Sequence, residues 1–311
     1  MATILITGGT GLVGTALTRA LVQQGHEAII LSRTARSSGQ KGIRYAVWDV
    51  AAGTIDPAAL AAADAVVHLA GAGVADARWS EARKQEIVRS RVDSGTLLAK
   101  ALRELPNKVR TVVSASAIGW YGPDPVIPNP KPFVETDPAA TATFLGRTCA
   151  AWEAAIRPVE ELGKRLVFAR IGIVLSRAGG AYAEFRKPMR FGVAPVMGNG
   201  RQIVSWIHID DLVRFFVAAV ENRNYTGTYN LVAPTPVSNR KLITTIAKAK
   251  GGFHLTAPAP AFVLKVLLGE MSVEVLKSTT VSSRKLQDQG FGFHYPDIIA
   301  AAKNLERKKK V

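Results

Sequence analysis

The stretch Thr3-Ile-Leu-Ile6-Thr-Gly8-Gly-Thr-Gly11-Leu-Val-Gly14 decides the fold. Its apolar start, Thr3 to Ile6, has the length and composition of a buried strand. After the glycines, Leu12, Val13, Ala16, Leu17, Ala20 and Leu21 recur at helical spacing, and Gly25 closes the helix. The three glycines have separate physical roles. Gly8 permits a tight turn, Gly11 lets the backbone approach a pyrophosphate, and Gly14 lets the helix pack close to the sheet. The helix N-terminus then offers free N–H groups and the positive end of its dipole to the phosphates. A dinucleotide site built from Gly8, Thr10, Gly11, Leu12, Val13 and Gly14 is therefore expected.

Working outward, further strands are read at 28–31, 43–48, 65–69, 110–114 and 165–171, with a long helical pattern from Ser80 to about Leu105. Strands alternating with helices imply a parallel sheet covered on both faces. After Ile171 the texture changes. Residues 176–206 are rich in Gly and Arg with little periodicity, 210–221 is again helical, and 227–231 is a strand. The expectation is an α/β chain: a Rossmann-type doubly wound parallel sheet over 1–175, with 207–232 returning to it. Residues 176–206 and 233–311 are expected to form a smaller α/β C-terminal substrate lobe.

The end of the second strand selects the cofactor. An acidic residue there would hold the ribose 2′-hydroxyl of NAD, but this chain has Ser32-Arg33-Thr34-Ala35-Arg36. Arg33 can face a 2′-phosphate and Ser32 can donate to it, so NADP(H) is expected in preference to NAD(H). Asp49, after the third strand, has two readings: acceptor for the adenine amino group, or turn residue. Leu69, Ala70 and Gly71, after the fourth strand, complete the expected cofactor shell.

Composition narrows the class. With 40 Lys+Arg against 24 Asp+Glu the 311-residue chain carries +16. No nucleic-acid motif accompanies this charge, so nucleic acid is not the expected partner. The one dense basic run, Arg307 to Lys310, reads as a solvated end. Cys149 is the only cysteine, which excludes an internal disulfide framework and fits a reducing compartment. No apolar run reaches about 18 residues without a charge, so no membrane span is expected. Structure starts at once after Met1, and the expected location is cytoplasmic. No second His stands at ligand spacing from His208, so no metal is expected.

With the glycine loop placed, several pieces resemble the extended short-chain dehydrogenase/reductase superfamily, which includes the nucleotide-sugar epimerases. They are His68-Leu-Ala-Gly71, Ser114-Ala-Ser116 with Tyr121-Gly122, and Trp206-Ile-His208-Ile-Asp210-Asp211. Adding Ser90-Arg91-Val92, Cys149-Ala-Ala-Trp152-Glu153, Leu267-Leu-Gly269-Glu270-Met271 and Gly290-Phe-Gly-Phe-His-Tyr-Pro-Asp297, the chain resembles an atypical subgroup. Its members are called epimerase family proteins, some with a cell-division-inhibitor name. The resemblance covers nearly the whole chain and implies an NADP-binding Rossmann domain, a substrate lobe and a small terminal domain. It also implies a small-molecule substrate, a sugar nucleotide or another carbonyl compound, and a monomer or homodimer.

The superfamily works through a Ser and a Tyr-x-x-x-Lys pair, in which the Lys lowers the Tyr pKa. None of the six tyrosines here has a Lys four places on. Counting back from Trp152-Glu153, the pair's positions hold Leu145 and Cys149. Ser116 matches the parent serine and Tyr121 lies shortly after it. They are the expected catalytic candidates, Ser116 to polarise a carbonyl and Tyr121, or water, to handle the proton. Arg201 and Trp206 are the expected substrate-pocket residues. Two functional classes follow: an NADP-dependent oxidoreductase or epimerase with a modified site, or an NADPH-binding regulator without turnover.

Overall fold

The computed structural model describes residues 1–307; Lys308 to Lys310 of the basic run lie outside the described residues. The first half runs β1 (Thr3–Thr7), α1 (Leu12–Gln23), β2 (Glu27–Ser32), β3 (Ile43–Asp49), β4 (Thr54–Ile55), α2 (Pro57–Ala62), β5 (Ala65–His68), α3 (Glu81–Glu104), β6 (Thr111–Ala117), α4 (Phe144–Ile156) and β7 (Arg165–Ile171). There follow β8 (Ile173–Leu175), α5 (Gly180–Met189), β9 (Val193–Met197), β10 (Ile203–Val204), β11 (Trp206–His208), α6 (Ile209–Glu221), β12 (Gly227–Leu231), β13 (Val237–Ser238), α7 (Asn239–Lys250), β14 (Leu255–Ala259), α8 (Ala261–Leu268), α9 (Ser272–Leu276), α10 (Arg284–Asp288) and α11 (Ile298–Glu306).

Eight strands form one sheet in the order β12-β7-β6-β5-β1-β2-β3-β4. All neighbours are parallel except β3 and β4. The strands read as continuous apolar runs because both faces are covered. Strand periodicity sorts their side chains: Ile4 and Ile6 pack towards Leu17 and Leu21 of α1 and Phe215 and Phe216 of α6. Leu5, Val66 and Phe168 pack on the other face against Leu98 and Leu102 of α3 and Ile156 of α4. This is the doubly wound Rossmann-type sheet, with the strand order reversing between β1 and β5.

A separate core joins α5, α7 and α11 to β9 through Tyr182, Met189, Leu242, Ile246 and Ala301. Residues 176–206, which lack a clear period, contain α5 and β9. The helix is obscured by glycines at its start and Pro188 inside its last turn. The lobe boundary also differs from a clean division at 233. Leu286 of α10 and Phe291 pack into the sheet-side core beside α6, not into the lobe. The anchor is Asp211 of α6, fully buried, which accepts the N–H groups of His294 (2.8 Å) and Tyr295 (2.9 Å) and pairs with Arg214 (3.0 Å).

Candidate functional site

The glycine loop leaves β1 at its carboxyl end. Gly8 has a φ of +66°, in the region that favours glycine. A Cβ there would lie 2.7 Å from the Leu69 carbonyl oxygen, and one on Gly14 would run into the Gly8 carbonyl oxygen. Gly11 donates to the Gly8 carbonyl (3.0 Å), which folds the loop onto itself. The start of α1 is the informative feature. Asp56, Ser80, Thr143 and His208 cap α2, α3, α4 and α6 with their side chains. Gly11 at the start of α1 provides no side-chain cap and the first turn holds no acid, as is also the case for α5, α8 and α10; α1 differs in starting directly from the folded glycine loop at the end of β1. The first N–H groups of a helix have no intrahelical partners, so this end is left open for an anion.

Thr7 ties this loop to the end of β5. Its Oγ1 accepts the N–H groups of Leu69 (3.0 Å) and Ala70 (3.1 Å) and lies 2.8 Å from Nδ1 of His68. His68 is wholly buried, and burial pulls its pKa down to about 4, so the ring is neutral at pH 7. Gly71 follows; a Cβ there would meet the Arg91 guanidinium carbon at 3.1 Å. The Arg91 guanidinium donates to the Ile87 carbonyl (2.8 Å) and lies 4.9 Å from the centre of the Trp152 ring. No described carboxylate pairs with it. Ser90, its neighbour, accepts the Ala72 N–H (3.0 Å) and so holds the 69–72 loop to α3. Arg91 therefore stands against the 69–72 loop, and its signal in the sequence was the Ser90-Arg91-Val92 motif.

At the end of β2, Ser32 is buried and Arg33 and Arg36 are exposed. Ser32 Oγ accepts the Thr34 N–H at 3.4 Å. Asp49 is a turn residue in this structure: its Oδ1 accepts the N–H groups of Ala51 (2.9 Å) and Ala52 (3.0 Å).

Ser116 and Tyr121 are brought together, but inside the protein. Ser116 Oγ donates to Glu153 (2.7 Å), and Glu153 forms a two-point ion pair with Arg170 at 2.8 and 3.1 Å. Arg170 donates to the Tyr121 hydroxyl (3.1 Å), which donates its proton to Asn230 (2.7 Å). Asn230 donates its own N–H to Glu135 (2.8 Å), and the Arg170 guanidinium stacks 3.6 Å from the centre of the Trp120 ring. Ser116 is 2% exposed and Tyr121 0%. Burial pushes the Tyr121 pKa up to about 12, even beside Arg170. As placed here, neither hydroxyl is a free proton donor to a ligand, because each proton already has an internal acceptor.

Leu145 and Cys149 sit where the sequence puts them, beside the end of β6: a Cβ on Gly119 would lie 3.1 Å from Leu145 and 3.4 Å from the Cys149 sulfur. Burial, and then the Glu153 charge, push the Cys149 thiol up to about 12, while Arg91 and Lys277 act in the opposite sense. It is a small buried hydrophobe, not a thiolate. Trp206 is a correction. It is fully buried in the lobe core with its Nε1 donating to the Thr235 carbonyl (3.1 Å), so as placed it presents no surface to a ligand. Arg201 is exposed, on a groove shared with Arg240. His208 caps α6 by accepting the Asp210 N–H (3.1 Å).

Residues 4–231 match the model of the NAD dependent epimerase/dehydratase family, and 259–305 match a domain of unknown function, DUF1731. The chain belongs to the NAD dependent epimerase/dehydratase family. It is 35% identical over 307 residues to the epimerase family protein YfhF of Bacillus subtilis, covering 99% of each chain. Human epimerase family protein SDR39U1, solved with NADPH, superposes with a TM-score of 0.85 at 30% identity, over 98% of this chain and 99% of that one. A nucleoside-diphosphate sugar epimerase from Corynebacterium glutamicum superposes with a TM-score of 0.76 at 32% identity, over 98% of this chain but 58% of that one. No described helix of this family member is long and apolar enough to cross a membrane.

Proposed function

We propose that this chain binds NADP(H) in the Gly8–Gly14 cradle and acts as an oxidoreductase or epimerase on a carbonyl compound. The observation that carries the proposal is the start of α1: Gly8 and Gly14, where a Cβ would overlap backbone, Gly11 folded tightly onto Gly8 between them, and a helix end with neither side-chain cap nor acid. The fit to a dinucleotide pyrophosphate is one of shape and charge together. Arg33, exposed at the end of β2 with no acid beside it in Ser32-Arg33-Thr34, supports a 2′-phosphate. The NADPH bound to the human relative supports the same choice.

A bound nicotinamide supplies a hydride to a carbonyl carbon, or takes one back from the alcohol. The chain's own part is to hold and orient. Arg91, against Gly71 and beside Cys149, places a permanent cation near where the family's lysine would act. With the Tyr121 proton held by Asn230, the proton on the carbonyl oxygen is assigned to water. A second function, NADPH binding without turnover, is favoured by the same closed network and by Leu145 and Cys149 in the pair's positions.

The test is a titration of NADPH and NADH, read by energy transfer from the five tryptophans. NADPH should bind at least about tenfold more tightly, a difference near 1.4 kcal/mol, and Arg33→Asp should abolish the preference. Binding of neither dinucleotide would overturn the proposal. Equal affinities would remove Arg33 from it.

A further inference from the structure

Ligands of this architecture lie outside the carboxyl ends of the strands. Over β1 and β5 that crevice holds the glycine loop. Over β6, β7 and β12 it holds the chain itself. Residues 278–283 run as a strap between the 122–135 loop, which leaves β6, and the β10–β11 segment. Ser278, Thr279, Thr280, Val281 and Ser283 are all buried.

The strap is fastened along both sides. Towards the loop, Asp124 accepts the hydroxyls of Ser278 and Thr280 (both 2.7 Å) and the Thr280 N–H (2.9 Å). The Ser282 N–H donates to the Phe133 carbonyl, and the Phe133 N–H to the Thr280 carbonyl, both at 2.8 Å. Towards β10 and β11, the Thr279 N–H donates to Ile203 (3.2 Å) and the Val281 N–H to Ser205 Oγ (2.9 Å). Asn230, at the end of β12, donates to the Ser282 carbonyl (3.2 Å). Every backbone N–H from Thr279 to Ser282 is thus paired. Val281 packs with Tyr121 and Val232, so the strap also covers the buried network.

We infer that this strap is a specificity element that excludes nucleotide sugars and confines the substrate to a small carbonyl or hydroxyl compound carrying no nucleotide. The inference rests on the proposed cofactor site and narrows its substrate. A diphosphate entering the filled side would displace paired backbone and meet the carboxylate of Asp124. Outside the strap, the groove between Arg201 and Arg240 is open to solvent and offers about 220 Å³, below the roughly 300 Å³ at which ligand pockets begin.

The experiment uses the full chain loaded with NADPH, with loading checked first; failure to load would count against the cofactor site and not the strap. UDP-glucose is then titrated by calorimetry into wild type and into the double variant Ser278→Ala, Thr280→Val. Wild type should show no saturable binding up to millimolar concentration, and the folded double variant should bind at least tenfold better. Sub-millimolar binding to wild type overturns the inference, as does a folded double variant that gains nothing. If the variant does not fold, hydrogen exchange on wild type decides. Strap amides as protected as those of β6, with or without UDP-glucose, uphold it; strap amides that exchange quickly, or that open when UDP-glucose is added, overturn it.

Discussion

Around Gly8–Gly14 the polar groups at the start of α1 meet no side chain, whereas around Arg170 each one is answered: Ser116 by Glu153, Glu153 by Arg170, Tyr121 by Asn230. Both regions stand at the carboxyl ends of strands in one sheet, with β5 between them. The difference separates two uses of polar chemistry. Groups left open at a surface await a ligand, because an unpaired donor costs least where water or an anion can reach it. Groups buried without water must be satisfied internally, and once satisfied they hold the chain together instead of reacting.

Substitutions should therefore damage the two regions in different ways. Arg170→Met is expected to have the largest effect. Glu153, 1% exposed, would be left as an uncompensated buried carboxylate. The loss should be about 3–5 kcal/mol in urea unfolding, with cofactor affinity of the folded fraction nearly unchanged. An unshifted midpoint would mean that the network is not structural. Gly14→Ala attacks the open region instead. Its Cβ would meet loop backbone, and NADPH affinity should fall about 100-fold, near 2.8 kcal/mol, by far more than stability falls. Retained affinity in a folded G14A protein would break the contrast.

His68, at the end of β5 between the two regions and bonded to Thr7, gives a pH test. Its folded pKa, near 4, lies below the ordinary value of 6.5, so the unfolded chain binds more protons between these values. Stability from this residue is fully present above about pH 6.5 and should be lost as pH falls towards 4, at up to about 1.4 kcal/mol per pH unit. A chemical-denaturation series from pH 7.5 to about 4.5 should show that slope, and His68→Gln should flatten it; an identical slope in the variant would assign the acid sensitivity elsewhere. The smallest effect is expected for Tyr121→Phe. Loss of the hydroxyl between Arg170 and Asn230 should cost about 1–2 kcal/mol of stability while leaving NADPH affinity within twofold. A selective loss of turnover with unchanged stability would restore Tyr121 as a proton donor.

The parts legible in the sequence were those fixed by local rules. β12 spans Gly227–Leu231 as its pattern indicates, and α3 begins after Ser80, a residue suited to capping it. The roles given to Ser116 and Tyr121 rested on position in a motif. Position in a motif carries no information about what faces a side chain from the far end of the chain: Asn230 is 109 residues beyond Tyr121. Trp206 failed as a pocket residue for the same reason, since its partners in α7 and α11 come from later in the sequence. Asp49 carried two local meanings, and the bonds of its Oδ1 to Ala51 and Ala52 show the turn role.

By itself the sequence determined the alternation of strand and helix, the glycine loop and the absence of a Tyr-x-x-x-Lys pair, because apolar period, backbone freedom and residue identity are properties of neighbouring positions. Only the tertiary structure decided that Arg170 gathers Glu153 and Tyr121, that Arg91 reaches Gly71, and that 278–283 are fastened between Asp124 and Ser205. Those contacts join residues far apart in the chain, and their energy comes from burial and pairing that exist only once the sheet and its flanking layers have closed.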